Sequence, residues 1–212
     1  RRRSRVGLLL ALILTALWEF FRMIEKQGVL LFKVFGLVMG VLIPVSMFFG
    51  LPITREVQLL LILAGLFLLF LLELTRKENQ QVVFSISATV FGVLYIAWCT
   101  SFMILIRNFE HGLQFLAYFL LVTKGQDMGA YFIGRRYGKR PFLKRVSPNK
   151  SVEGALGGIA TSILVSLLAG ALLTNLTFFH RTMLGLILGV ISQLGDLFES
   201  LIKRDSGVKD SS

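Results

Sequence analysis

Apolar residues gather into seven runs along this chain, at 6–17, 34–49, 57–72, 82–106, 113–122, 155–173 and 183–194. Several reach the length of about 20 residues that a helix needs to cross hydrocarbon. The shorter ones, such as 113–122, do so only with their polar flanks included. In hydrocarbon each backbone N–H and C=O must be satisfied within the segment, so runs of this kind are read as helices. The pattern predicts an all-α, polytopic helical membrane protein with about seven transmembrane helices. Composition agrees: 55% of the 212 residues are hydrophobic and 17% are charged, too little polar surface for a soluble domain of this length.

The run at 6–17 follows the basic stretch RRRSR, as a signal peptide would, but no small-residue cleavage site comes after it and WEFFRM does. The chain has no initiator Met and reads as beginning inside a longer one. Pairs and triplets of small residues recur at Gly36 and Gly40, at Gly154, Gly157 and Gly158, and at Gly185 and Gly189, where close helix packing is expected. Pro44 is expected to kink the second span. Cys99 has no disulfide partner within the chain, and His111 and His180 are expected in short loops between spans rather than on a metal.

Charge changes the picture from a set of spans to an oriented set. The net charge is +11, and residues 124–150 hold eight basic side chains against one acid, Asp127. The positive-inside rule makes that segment, read as a basic loop, cytoplasmic. Counting spans outward puts WEFFRMIEKQ, LELTRKENQQ and the C-terminal stretch on the same side. The loops around GLPITRE, IRNFEHG and TNLTFFHRT, with one Arg each, then lie opposite. RRRSR falls on the opposite side too, against the rule, which implies a span upstream or a first segment that does not fully cross.

Two polar constellations lie on the predicted cytoplasmic face. The first is KGQDMGAYFIGRRYGKRPFLKRVSPNKSVEG. Its glycines at 125, 129, 134 and 138 would let backbone approach a ligand, and its Lys and Arg would neutralise a polyanion. Ser147 and Pro148 are read as N-cap and first position of a helix whose N-terminus makes a ready phosphate site. A solvated basic loop touching anionic lipid accounts for the same residues. The glycine spacing is not that of a P-loop. The second constellation is GDLFESLIKRDSGVKD, with a charge at seven of its sixteen positions. Continued as a helix, it puts Asp196, Glu199 or Ser200, and Lys203 or Arg204 on one face. Ion pairing explains such a face, and so does phosphoryl chemistry, which sets carboxylates for Mg2+ beside cations for phosphate.

Taken together, these stretches resemble the phosphatidate cytidylyltransferases, the CDP-diacylglycerol synthases. SPNKSVEG at 147–154 is similar to that family's SPxK(T/S)xEG motif, and DMGAYFIGRRYGK at 127–139 to its DxGAYxxGRxxGK loop. Gly195-Asp196 with Ser200-x-x-Lys203-Arg204 and Lys209-Asp210 resembles the first half of its signature, and WEF at 18–20 an early aromatic-acid pair. The resemblance covers nearly the whole chain, which ends at Ser212, before the family's further aspartates. It implies N-terminal transmembrane helices over 1–123 and a catalytic region over 124–212. It also implies transfer of the cytidylyl group of CTP to phosphatidate, with Mg2+ as cofactor. A second metal ion is compatible with it. Asp196 is the expected metal ligand, and Asp210 is a second candidate, for metal or substrate contact. Lys203, Arg204, Lys150 and Lys209 would neutralise phosphates, and Ser147, Asn149 and Ser200 would hydrogen-bond phosphate or base. Asp127 and Glu153 would orient those cations or complete the metal shell, with structural ion pairing an alternative for Glu153 and Glu199.

Expected partners are CTP, phosphatidate and membrane lipid, with no nucleic acid; a homodimer is compatible. The expected location is the inner (plasma) membrane, active site toward the cytoplasm. A CTP-dependent lipid-alcohol kinase of the dolichol or phytol type is the nearest alternative; it would release CDP rather than pyrophosphate. A CDP-alcohol phosphotransferase lacks its DGxxAR motif here. A transporter is disfavoured because the charges cluster at one surface instead of mid-membrane; a non-enzymatic anionic-lipid-binding membrane protein is a further alternative, and would show no metal-dependent turnover of CTP.

Overall fold

Each of the seven apolar runs lies on its own helical rod in the computed structural model, which describes residues 2–50, 55–76, 81–173 and 175–207. The rods are α1 (Arg2–Glu25), α2 (Lys33–Phe49), α3 (Arg55–Leu74), a continuous rod of α4 (Val82–Gly92), a π-helical stretch (Val93–Trp98) and α5 (Cys99–Asn108), then α6 (Gly112–Tyr137), α7 (Val152–Leu173) and α8 (Phe178–Asp205). A small antiparallel hairpin, β1 (Pro141–Leu143) and β2 (Ser147–Ser151), joins α6 to α7. The fold is therefore all-α apart from this hairpin. Four stretches among the described residues are long and apolar enough to cross a membrane: Gly7–Glu25, Val82–Asn108, Val152–Ala171 and Phe178–Asp205. Lys33–Phe49 and Leu60–Leu74 are apolar but shorter. The count of about seven crossings rests on the sequence pattern alone.

The chain falls into two compact units, Arg1–Leu105 and Ile106–Ser212. In the first, α1 and α2 run antiparallel, with the Phe21 ring against Gly36 and Leu17 against Gly40. Gly92 receives the rings of Phe20 and Phe21. Pro44 sits buried inside α2, which continues to a left-handed cap at Gly50, a conformation glycine adopts without steric penalty. The connector between α1 and α2 is tied down by Arg76, which donates to the Leu30 carbonyl, the Ser85 hydroxyl and the Glu73 carboxylate.

In the second unit, α6, α7 and α8 form an antiparallel up-down bundle. Gly125 meets Val165, Gly129 meets Thr161 and Gly134 meets Gly154, while Gly157 receives Ile133 from the other side. The α7–α8 contact uses the same device, with Gly185 against Ile163 and Ser166, and Gly189 against Ser162. Close approach gives Ser162 a hydrogen bond to the Gly185 carbonyl at 2.8 Å, of a kind worth roughly 0.6 kcal/mol in membrane proteins. Tyr118, Val122 and Ala169 form the apolar centre of this unit. This packing corrects one expectation. Residues 124–137 are not loop but the second half of α6, and three of the glycines expected to cradle a ligand instead seat helix α7. His180 likewise lies in the first turn of α8, capped by Thr177, rather than in a loop.

A Cβ added at Gly129 would run into the Thr161 side chain, whereas one added at Gly195 meets nothing within 4 Å. Gly129→Ala should therefore lower stability by about 1–3 kcal/mol through overpacking, and Gly195→Ala should be neutral or stabilising by up to about 1 kcal/mol. Thermal unfolding of both variants in one detergent measures the contrast.

Candidate active site

The antiparallel order of α6, α7 and α8 brings the C-terminal end of α6, the hairpin, the start of α7 and the C-terminal half of α8 to one end of the second unit. Nine of the eleven sequence-predicted site residues lie there or on the helices leading to it; Lys209 and Asp210 lie outside the described residues. The central contact joins the two motifs. Lys150 at the end of the hairpin places its ammonium 3.1 Å from Asp196 on α8, across 46 residues of sequence. Both side chains keep a third or more of their surface, 35% and 46%, so the pair is reachable from solvent.

Hydrogen bonds from neighbouring elements set this geometry. Glu153, in the first turn of α7, accepts from the backbone N–H of Lys139 at 3.0 Å and of Arg140 at 3.2 Å, holding the α6–β1 connector. Arg140 in turn accepts from the N–H of Val152. Arg204 on α8 donates to the Arg145 carbonyl in the hairpin turn at 2.7 Å, and Gln193 donates to the Ala155 carbonyl at 2.7 Å. These contacts fix α8 against the hairpin and the first turn of α7. The helix cap is not where the sequence suggested. Ser147 and Pro148 lie in β2, and the hydroxyl accepting from the Gly154 N–H at 3.1 Å is that of Ser151. The signal was in SVEG, a Ser three residues before a helical N–H, masked by the Ser-Pro that precedes it.

Other predicted residues fall beside this contact. Helix α8 runs on through Asp205, so Asp196, Glu199, Ser200, Lys203 and Arg204 are helical as expected. Lys203 pairs with Glu199 one turn back at 2.6 Å, and Ser200 donates to the Asp196 carbonyl at 2.8 Å. Asn149 is exposed on β2, and Ser147 is half-buried there. Asp127, about three helical turns before the end of α6, takes the Lys124 ammonium at 3.2 Å on one oxygen, while its other oxygen is buried without a partner among the described residues. Lys139, Arg140, Lys144 and Arg145 are exposed at the same end. The arrangement leaves the exposed cations of this end and one solvent-accessible ion pair, Lys150–Asp196, open to a polyanion.

Among the described residues no three His, Cys, Asp or Glu side chains converge as a metal site. Mg2+ nevertheless retains several waters and commonly takes one or two protein carboxylates plus substrate phosphates. Asp196, a solvent-accessible carboxylate beside the Lys150 ammonium, has the chemistry of one such ligand.

The family profile described as the Cytidylyltransferase family matches residues 4–212 of this chain. The phosphatidate cytidylyltransferase of Bacillus subtilis is 38% identical over 122 residues, 57% of this chain and 45% of that protein. That of Staphylococcus saprophyticus is 35% identical over 159 residues, 74% of this chain and 60% of that protein. The uncharacterised protein YnbB of Escherichia coli K12 is 37% identical over 123 residues, 58% of this chain and 41% of that protein. The chain thus spans about half the length of the curated relatives it matches.

Because the Lys150–Asp196 pair is solvent-accessible, its removal should change little but local charge. Lys150→Met is expected to lower the unfolding free energy by no more than about 1 kcal/mol. A denaturant or thermal series in detergent checks this; a much larger loss would identify the pair as a structural strut.

Proposed function

The chain belongs to the cytidylyltransferase family, and from that premise we propose that it carries the site at which the cytidylyl group of CTP is transferred to phosphatidate. The products are CDP-diacylglycerol and pyrophosphate. The observation that carries this reading is the Lys150–Asp196 contact, which joins the SPNK strand to the GD helix at one accessible end of the bundle. The curated relatives named phosphatidate cytidylyltransferase support the choice of substrates.

The chemistry balances without a protein nucleophile. A phosphate oxygen of phosphatidate attacks the α-phosphorus of CTP; the bond to the β-phosphate bridging oxygen breaks, and pyrophosphate departs with that oxygen. What the protein supplies is position and charge. Two polyanions repel until cations intervene, a role that Lys150, Lys203 and Arg204, gathered at this end of the second unit, would fill. Lys209 would add a further cation. Ser147, Asn149 and Ser200 supply donors to phosphate or base. Asp127 and Glu153 act as positioning residues, Asp127 by holding Lys124 and Glu153 by holding the hairpin that presents Lys150. When Mg2+ is bound, Asp196, with Asp210 as second ligand, would hold it where it neutralises developing phosphate charge.

A lipid substrate calls for an enzyme in the membrane, consistent with the four helices long and apolar enough to cross one. The concentration of basic residues at 124–150 favours the cytoplasmic face of the inner membrane for the site.

In the full-length protein, Asp196→Asn should lower kcat by about 10²–10³-fold, since Asn is nearly isosteric but lacks the charge a hard cation needs. Expression and membrane insertion should persist. Pyrophosphate release from CTP and phosphatidate, followed against Mg2+ concentration for both proteins, gives the measurement. A variant within a few-fold of wild type, with unchanged Mg2+ dependence, contradicts the role.

A further inference from the structure

The first unit carries an open groove of about 670 Å³ between α1 and α2. Its walls are two helical stripes, Leu14 and Trp18 from α1 and Leu37, Val38 and Val41 from α2. Trp18 and Val38 are each about half exposed, at 50% and 49%, so the apolar floor is open to its surroundings. Thr15 also lines it but turns its hydroxyl back to the Ala11 and Leu12 carbonyls, which leaves no polar demand inside the groove. The helices run antiparallel, so Leu14 and Val41 lie at one end of the groove and the charged α1 C-terminal residues at the other, its mouth.

Charge at that mouth is unusual for an apolar groove. Glu19 and Arg22 both line it, and neither has a hydrogen-bond or ion-pair partner among the described residues. Lys33 and Glu25 beside them are already paired with one another, and the Lys33 ammonium stands 5.1 Å above the Trp18 ring. Two acids and two bases make these four charges neutral in sum. A net anionic head group would find Arg22 attractive and Glu19 repulsive. A head group with both a phosphate and an ammonium would satisfy both. Side chains three residues apart on a helix set their Cβ atoms about 5–6 Å apart, a spacing a phosphate and an amine on a two-carbon linker can bridge.

We propose that this groove binds a zwitterionic phospholipid with a primary ammonium, one acyl chain along the α1–α2 floor, its phosphate on Arg22 and its ammonium on Glu19. Trp18 directly precedes the charged last turns of α1, the kind of position that aromatic rings take at a membrane–water interface. The lipid is not the proposed substrate, since phosphatidate has no amine, and the site is built only from residues of the first unit. Occupancy would fill the open seam between the first two helices of the chain.

The test uses the whole chain, purified in detergent, stripped of lipid and incubated with vesicles of equal phosphatidylethanolamine and phosphatidylglycerol carrying the same acyl chains. Lipid retained per protein is then counted by native mass spectrometry. Wild type should retain the ethanolamine lipid in preference. Glu19→Gln should lower that retention about tenfold and leave phosphatidylglycerol unchanged, and Arg22→Gln should lower both, as expected for loss of one charge-assisted contact. Val38→Trp fills the groove with both charges in place and should give the same loss as Glu19→Gln for the ethanolamine lipid. Equal retention of the two lipids by wild type overturns the proposal. So does retention unchanged in Glu19→Gln or in Val38→Trp.

Discussion

Everything at the candidate site depends on how closely α7 can approach α6. Gly125, Gly129 and Gly134 on one helix and Gly154, Gly157 and Gly158 on the other remove the side chains that would hold the backbones apart. In lipid there is no hydrophobic drive between helices, so van der Waals contact and interhelical hydrogen bonds must hold them. That contact aligns the end of α6 with the start of α7 and leaves the hairpin as the short bridge across. A looser pair would move Lys150 away from α8, and with it the contact to Asp196.

A second constraint sorts the chain by depth. Hydrocarbon accepts only backbone that is satisfied internally, so the helical interiors are apolar and their serine and threonine hydroxyls turn to carbonyls of their own or a neighbouring helix. Charges therefore collect at the ends, where the hairpin, the cap at Ser151 and the last turns of α8 provide irregular backbone and solvent. The proposed reaction between a lipid phosphate and a water-soluble nucleotide suits such a boundary, because each substrate would reach it from its own phase.

Much of this was legible from residue pattern. The seven apolar runs all became helical rods because their length and continuity leave little else for the backbone to do. The glycine pairs at 36 and 40 and at 185 and 189 were readable as packing sites. The same spacing at Gly125 and Gly129 was misread, since neighbouring Lys and Arg made the segment look like a loop; the helix carries those charges past the apolar section on its exposed side. The hairpin was invisible because β1 and β2 are only three and five residues long and each carries a proline, at 141 and 148. The Glu199–Lys203 pair follows from spacing along one helix. Lys150 as partner of Asp196 does not, because that contact exists only once three helices are packed.

The central claim is that the site moves the α-phosphoryl group of CTP, with its nucleoside, onto a lipid phosphate. The most direct measurement supplies the full-length protein with phosphatidate, Mg2+ and CTP labelled at its α-phosphorus in one sample and at its γ-phosphorus in another. The account predicts α label in the extracted lipid and γ label in pyrophosphate. Transfer of the γ label to lipid, with CDP left in water, would contradict it.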